Sequence, residues 1–388
     1  MPSPRHDSPA PGSQSALRAR NRERISEVLS EHGPSTQAEL ARLSGLSPAT
    51  VSNIVRQLVS AGEAEKSPTT ASGRRAVSVS LTASRAVAVG VDIGRRHVRL
   101  VVAAKNRQIL GERFSPLPVG HTAERTLALA AREYAGLLED VSRSMEDVIG
   151  IGVGIPGPID QRTHTVIDGA ILPEWVGIDL HPRLEQTFGR PVALENDANL
   201  GALGEIAFGR HDGAGSLVYL KVATGIGAGI AVEGQLLSGA LGVSGEIGHL
   251  GLQASDVVCH CGNRGCLETV ASTRAVLEQL RQAGRDASTS EDIVELAQRG
   301  DLATLRLLED SARSVGEACG HIANMLGPEA ILLGGPLAPL GRVFLDPMEA
   351  AMRRHSVPLI RESVRLEAAS LGDQAEALGA VAVVLREM

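Results

Sequence analysis

Five stretches of this chain decide its fold class: VAVGVDIG at residues 87–94, VIGIGVGIPGPID at 148–160, PVALENDAN at 191–199, SLVYLKVATGIGAGIAV at 216–232 and AILLGGPLAP at 330–339. Most are runs of β-branched and aliphatic residues closed by Gly, Pro or Asn, the pattern of a buried strand ending in a tight turn. Helical patterns lie between them, at 122–144, 272–283 and 302–325. Strands alternating with helices of that length predict an α/β body. Gly-rich turns at several strand ends leave backbone N–H groups open to phosphate or sugar.

Working outward, the chain of 388 residues has room for more than this body. Hydrophobic residues make up 43% and aromatics 2%, with 43 glycines, so the core is expected to be aliphatic and the backbone rich in close approaches. That composition excludes disorder over the whole length. No uncharged apolar run reaches the ~18–20 residues of a membrane span, and the opening MPSPRHDSPAPGSQS offers no signal peptide. A cytoplasmic protein with no membrane partner is expected. Charge is unevenly spread: residues 1–88 carry eleven basic against seven acidic side chains, a balance of +4 within a chain of net −7. A basic head on an acidic body fits a nucleic-acid-binding domain joined to one that does not bind nucleic acid.

The head reads as a helix-turn-helix. After a Pro- and Ser-rich tail at 1–14, expected to be disordered, residues 15–84 form the expected DNA-binding domain. A first helix carries Ile25, Val28 and Leu29 on one face and stops at His32-Gly33-Pro34. Ser35 or Thr36 caps a second helix with Ala38, Leu40 and Ala41, and Gly45 supplies the sharp turn. Ser47-Pro48 opens a third, in which Val51, Ile54, Val55 and Leu58 face inward. Thr50, Ser52, Asn53 and Arg56 are left outward, short or polar side chains suited to base edges and phosphates of operator DNA. Gly62 ends that helix. Residues 63–81 then predict a hairpin with a strand at 64–67, a polar tip at 69–73 flanked by Arg74 and Arg75, and Val77, Val79 and Leu81 alternating inward. The whole resembles the winged helix-turn-helix of bacterial repressors.

The strongest chemical motif is His249-x9-Cys259-x-Cys261-x4-Cys266. One imidazole and three thiolates make a closed, soft tetrahedral set that selects structural Zn2+ and leaves no position for catalytic water. Three cysteines within eight positions point to metal rather than disulfides, whereas Cys319, in an apolar helical run, is expected in the core. A second candidate is Glu195-Asn196-Asp197-Ala198-Asn199, following a strand expected at 191–193. A carboxylate and amides at a strand end can bind a polyol or take a proton from a hydroxyl.

Taken in order, VDIG, GIPGPID, ENDAN with GALGE, ATGIGAGI, GEIGHL, CHCGNRGCLE and LLGGPL resemble the ROK family of repressors and sugar kinases, over residues 87–388. The resemblance implies an actin-like, ribonuclease-H-like body of two lobes with sugar in the cleft, assembled as homodimers or homotetramers, with 249–268 as its zinc segment. It implies sugar contacts at Asn196, Asp197, Glu246, His249 and Glu268. His249 then offers one ring nitrogen to zinc and the other to a sugar hydroxyl. In the kinase branch Asp197 is the base for the attacking hydroxyl, with ATP and Mg2+ supplying the rest.

The departures from the family pattern matter most. Kinase members follow the first strand with Asp-x-Gly-x-Thr and a further Gly, where this chain has Asp92-Ile93-Gly94-Arg95-Arg96-His97. Bulky cations in place of Gly and Thr argue against ATP, although Thr224, Gly225 and Gly227 of the second loop, and Gly334-Gly335, keep the nucleotide-site pattern. The sequence therefore predicts a sugar-responsive transcription regulator, a repressor rather than an enzyme. The alternatives are an ATP-dependent sugar kinase with an appended DNA-binding domain, and a carbohydrate-binding scaffold without DNA binding.

Overall fold

The computed structural model describes residues 14–60, 64–71, 74–81, 85–160, 162–167, 169, 171–211, 214–251 and 256–387. The chain divides into two compact units, Met1–Arg85 and Ala86–Met388. The expected tail lies outside the described residues, apart from Gln14, which opens the first helix. No helix among the described residues is long and apolar enough to cross a membrane.

The first unit runs α1 (Gln14–His32), β1 (Ser35–Thr36), α2 (Gln37–Ser44), α3 (Pro48–Ser60), β2 (Ala64–Ala71) and β3 (Arg74–Leu81). Ile25, Val28 and Leu29 of α1 bury against Leu40 of α2 and Val51, Ile54, Val55 and Leu58 of α3. Thr36, not Ser35, is the cap: its hydroxyl accepts the Glu39 N–H while the Glu39 carboxylate takes the Thr36 N–H at 2.7 Å, a reciprocal capping box. Gly45 then turns the chain at φ 69°, where a side chain would be strained. Ser47 Oγ accepts the Thr50 N–H at 3.2 Å and opens α3. On the outward face of α3, Asn53 and Arg56 are exposed, and Thr50 and Ser52 are half-buried.

The wing is longer than the sequence suggests. β2 and β3 pair along eight residues each, with Arg74 and Arg75 opposite Ala71 and Thr70 at the closing end, and β1 joins as a third strand against Ser78 and Val79. Gly62, Ser72 and Gly73 lie outside the described residues. One expectation fails: Val77 is 49% exposed while Val79 is fully buried. Alternation sets the face correctly, but Val77, opposite Pro68, lies outside the core cluster that buries Val79.

The second unit opens with β4 (Val87–Ile93), β5 (His97–Ala104), β6 (Ile109–Pro116), α4 (Ala123–Asp140), β7 (Val148–Ile155), β8 (Ile159–Asp160), β9 (Thr165–Val166), α5 (Leu180–Phe188), β10 (Val192–Asn196) and α6 (Asp197–Ala207). It continues with β11 (Ser216–Val222), β12 (Ile226–Val232), β13 (Gln235–Leu236), α7 (Glu268–Ala271), α8 (Thr273–Gln282), α9 (Ser290–Gln298), α10 (Leu302–Leu326), β14 (Ala330–Gly334), α11 (Arg342–His355), α12 (Pro358–Ser363), β15 (Arg365–Ala368) and α13 (Ala375–Glu387). Helix α4 ends before the expected 144 because Ser142 turns left-handed at φ 53° and Ser144 caps a new turn.

Two five-stranded sheets result, ordered β10-β7-β4-β5-β6 and β13-β12-β11-β14-β15. In each, three strands meander antiparallel and two more add in parallel on the other side of the first. The same topology occurring twice makes two lobes of one kind, the duplicated ribonuclease-H-like body. Each lobe buries an aliphatic core, one around Val89, Leu100, Ile151 and Trp175, the other around Leu220, Val315, Ile331 and Phe344.

The lobes exchange helices. Helix α6 leaves β10 of the first sheet and lies on β11 and β12 of the second, whereas α13 leaves the second lobe and lies on β4 and β7 of the first. The two helices cross at bare glycines: a Cβ on Gly379 would stand 1.8 Å from the Leu200 carbonyl oxygen, and one on Gly204 would stand 2.2 Å from that of Ala375. Neither obstacle is a flexible side chain. Gly379→Ala is therefore expected to lower stability by about 1–3 kcal/mol, as overpacking does. Gly227→Ala, whose Cβ would make an ordinary 3.6 Å contact with the Ala198 Cβ, serves as the control. Urea unfolding checks this, and equal midpoints for both variants and the parent would refute the crossing.

Candidate functional site

A cavity of about 450 Å3 opens between the two lobes. Its walls bring together Asp92, Gly94, Asn196, Asp197, Thr224, Gly225, Gly227, Glu246, His249, Glu268 and Gly335. Gly334 is not among them. It ends β14 against the Tyr219 ring, where a Cβ would clash at 2.2 Å, so packing explains that glycine.

The β10–α6 junction fixes Asn196 and Asp197. The strand runs through Asn196, three residues beyond its expected end, and Asn196 becomes the cap of α6. Its Oδ1 accepts the N–H groups of Ala198 and Asn199 at 2.9 and 3.3 Å, and its Nδ2 donates to the Gly157 carbonyl at 3.0 Å. Asp197, the first helical residue, accepts the Ala198 N–H through Oδ1 at 2.9 Å and the Lys221 ammonium through Oδ2 at 2.8 Å.

Lys221 is a residue the sequence reading missed. From β11 its Nζ reaches Asp197 and also Glu376 Oε1 of α13, at 2.8 Å each, and the Tyr219 hydroxyl donates to the same Glu376 oxygen at 3.2 Å. Burial opposes the ammonium, but the two carboxylates outweigh it and hold Lys221 well above its ordinary value. His97 was also missed as a partner: its Nε2 lies 2.7 Å from Asp92 Oδ2. Burial works against both charges of that pair, yet their mutual attraction and hydrogen bond hold Asp92 below and His97 above their ordinary values. The imidazole also covers Gly94, where a Cβ would meet His97 Cε1 at 2.3 Å. Asp92 Oδ1 remains buried without a hydrogen-bond partner.

Beside the cavity, the ligand atoms of His249, Cys259, Cys261 and Cys266 all lie within 4.8 Å of one another, a group able to hold a metal ion. His249 Nδ1 stands 3.6 Å from Cys259 Sγ, and Cys261 Sγ stands 3.7 Å from Cys266 Sγ. Burial pushes the Cys259 thiol up to about 12 and raises that of Cys266, so a bound cation must displace protons here. The other nitrogen of His249, Nε2, lies 3.9 Å from Glu246 Oε2, which lines the cavity with it. His260, overlooked in the sequence, sits 3.0 Å from Glu268 Oε1 and forms an overlapping donor group with His249, Cys259 and Glu268. Cys319 is fully buried in the second lobe's core, as its apolar run implies.

The Lys221 bridge yields a prediction about stability. Lys221→Met leaves two carboxylates buried without their counter-ion, and breaking such a pair costs about 3–5 kcal/mol. Adding Glu376→Gln removes one of the stranded charges and keeps an acceptor for Tyr219, so the double variant regains part of the loss. Equal denaturation midpoints for the parent and Lys221→Met would contradict the bridge.

With this geometry in view, comparison with known proteins is direct. Residues 88–387 match the ROK family, and residues 18–62 match a winged helix-turn-helix DNA-binding domain. The chain is 27% identical over 392 residues to the xylose repressor of Caldicellulosiruptor bescii, covering 97% of this chain and 98% of that one. It is similar to the crystal structure of a ROK family transcriptional regulator, a homologue of the Escherichia coli MLC protein, with a TM-score of 0.74, 25% identity, and coverage of 95% and 96%. A ROK family glucokinase from Streptomyces griseus, in complex with glucose and AMPPNP, matches with a TM-score of 0.68 and 29% identity, over 78% of this chain and all of that one. The regulators match both units and the glucokinase leaves about a fifth of the chain uncovered: this protein belongs to the ROK family and sets a winged helix-turn-helix ahead of its ROK domain.

Proposed function

We propose that the protein is a sugar-responsive, DNA-binding transcriptional repressor of carbohydrate metabolism genes and not a kinase. The observation that carries this reading is the joining of a winged helix-turn-helix to a ROK body in one chain, over the full length of a similar repressor. Residues 15–84 are the DNA-binding part, with Thr50, Ser52, Asn53 and Arg56 on the recognition helix and Arg74 and Arg75 on the wing. Residues 87–388 bind the sugar through Asn196, Asp197, Glu246, His249 and Glu268. The protein acts as a homodimer or homotetramer, so that paired recognition helices meet half-sites about one DNA turn, ~34 Å, apart.

The first loop supports the non-enzymatic reading: His97, paired with Asp92, covers the Gly94 backbone that a phosphate loop would present. Asp197 accepts the Lys221 ammonium through Oδ2 and the Ala198 N–H through Oδ1, and keeps lone pairs for a sugar hydroxyl. A kinase reading would need Asp92, Gly94, Thr224, Gly225, Gly227, Gly334 and Gly335 to seat ATP and Mg2+. The deciding experiment measures operator binding by the full chain with and without pentoses, hexoses and N-acetylhexosamines, beside ATP consumption with the same panel. One sugar shifts operator affinity and none supports turnover. Robust ATP-dependent phosphorylation, lost in Asp197→Asn, would install the kinase.

The Cys–His cluster is proposed as a structural zinc site held by His249, Cys259, Cys261 and Cys266. Three thiolates and one imidazole suit zinc, and the ion would supply local folding energy to the segment that carries Glu268. Freshly purified protein is expected to hold one zinc per chain, and Cys261→Ser to lose both the metal and the sugar response. Elemental analysis finding no zinc in unchelated protein would refute the assignment.

A further inference from the structure

The chain has seven side chains of Trp, Tyr and Phe, and among the described residues only one of them is exposed. Trp175, Tyr134, Tyr219, Phe188 and Phe344 are buried and Phe208 is half-buried, whereas Phe114 is 56% exposed and lines the cavity between the lobes. Its ring is held in place. Phe114 pairs with Arg99 across β5 and β6, the Arg99 guanidinium lies 5.0 Å from the ring centroid, and the His97 ring stacks on it at 5.9 Å and 20°. His97 is itself tied to Asp92 at 2.7 Å. Pro116, opposite His97 on the same face of the ladder, extends the apolar wall. A fixed aromatic ring on a cavity wall presents a flat apolar face, which a ligand ring covers more favourably than water does.

Register places this ring far from the proposed sugar contacts. Phe114 is level with Arg99, Asp92, Gly154 and Glu195 on successive strands, one row across the first-lobe sheet from edge strand β6 to edge strand β10, where Asn196 follows Glu195. Four strand spacings of about 4.8 Å part the two edges, ~19 Å in all. A single sugar ring seated on Asn196 and Asp197 does not reach Phe114. Yet both ends line one cavity of about 450 Å3, within the size range of pockets that enclose drug-sized ligands. Glu291 and Asp373 line it too, and their carboxylates are acceptors for hydroxyl groups. We propose that Phe114 is a stacking platform for the second or third ring of an oligosaccharide whose first ring occupies the proposed sugar site. The proposal rests on the sugar-site reading above and extends its ligand class from single sugars to oligosaccharides. A sugar ring has apolar C–H faces and a rim of hydroxyls, so the aromatic wall takes the face and the carboxylates take the rim.

Calorimetry on the full chain tests the platform. The probes are D-xylose, D-glucose and N-acetyl-D-glucosamine, the β-1,4-linked di- and trisaccharide of each, and AMPPNP, against the parent, Phe114→Ala, Phe114→Leu and Phe114→Tyr. Phe114 is more than half exposed on an edge strand, so all three variants are expected to keep the parent's melting temperature. The expected result is a di- or trisaccharide binding about ten-fold or more tighter than its monosaccharide. That gain is lost in Phe114→Ala and Phe114→Leu and kept in Phe114→Tyr, with monosaccharide affinity unchanged in all three. Rescue by Tyr and not by Leu reports stacking on a ring rather than apolar bulk. If monosaccharides bind and further rings add nothing, or if the gain survives in Phe114→Ala, the platform is overturned and the sugar reading stands. If Phe114→Ala weakens AMPPNP alone, the ring serves a nucleotide and the proposal falls. If no saccharide of any length binds, the sugar reading falls and the platform with it.

Discussion

The crossing of α6 and α13 is the constraint on which the rest of the second unit depends. Each helix springs from one sheet and packs on the other, so the backbones must pass close enough that Gly379 meets the Leu200 carbonyl and Gly204 that of Ala375. Protein interiors do not yield to a misplaced methyl group without shifting their neighbours. The crossing also sets where the helices begin. Asp197 opens α6 and Glu376 is the second residue of α13, and both come within 2.8 Å of one ammonium on β11. A wider crossing would part the carboxylates beyond the reach of Lys221.

Charge in the cleft follows from that geometry. Asp92, Asp197 and Glu376 are all buried, and an unpaired carboxylate in such surroundings is costly. The chain supplies the compensation itself, with His97 on Asp92 and Lys221 on the other two. Preformed pairs of this kind orient the acceptors before a ligand arrives, so little is lost in ordering them.

How much of this was legible in the sequence depended on distance along the chain. Local rules read the first unit well, because a capping box, a left-handed Gly45 and an i, i+3, i+4, i+7 stripe each involve a few neighbouring residues. The Cys–His cluster was legible for the same reason, with three of its donors inside eight positions. Val77 was misread because alternation gives a face but not where along the strand the core cluster ends. The Lys221 bridge joins residues 24 and 155 positions away, which no local pattern reports. One signal did exist. Lysine occurs only at 66, 105 and 221 in a chain that otherwise uses arginine, and Lys221 interrupts an apolar strand. A strand lysine flanked by Leu220 and Val222 invites the question of which carboxylates surround it.

The addresses of the proposed sugar contacts bear on how binding could be felt elsewhere. A ligand shifts a conformational equilibrium only by its difference in affinity for the two states, so contacts confined to one rigid body shift nothing. Asn196 and Asp197 stand at the end of a first-lobe strand, whereas Glu246, His249 and Glu268 come from segments of the second lobe. A ring held by both sets favours whichever arrangement of the lobes lets all of them reach it. Metal at the Cys–His cluster would act in the same direction. Once Nδ1 of His249 is fixed toward the thiolates, Nε2 is aimed and its tautomer set, so the second-lobe contact is formed before the ligand enters.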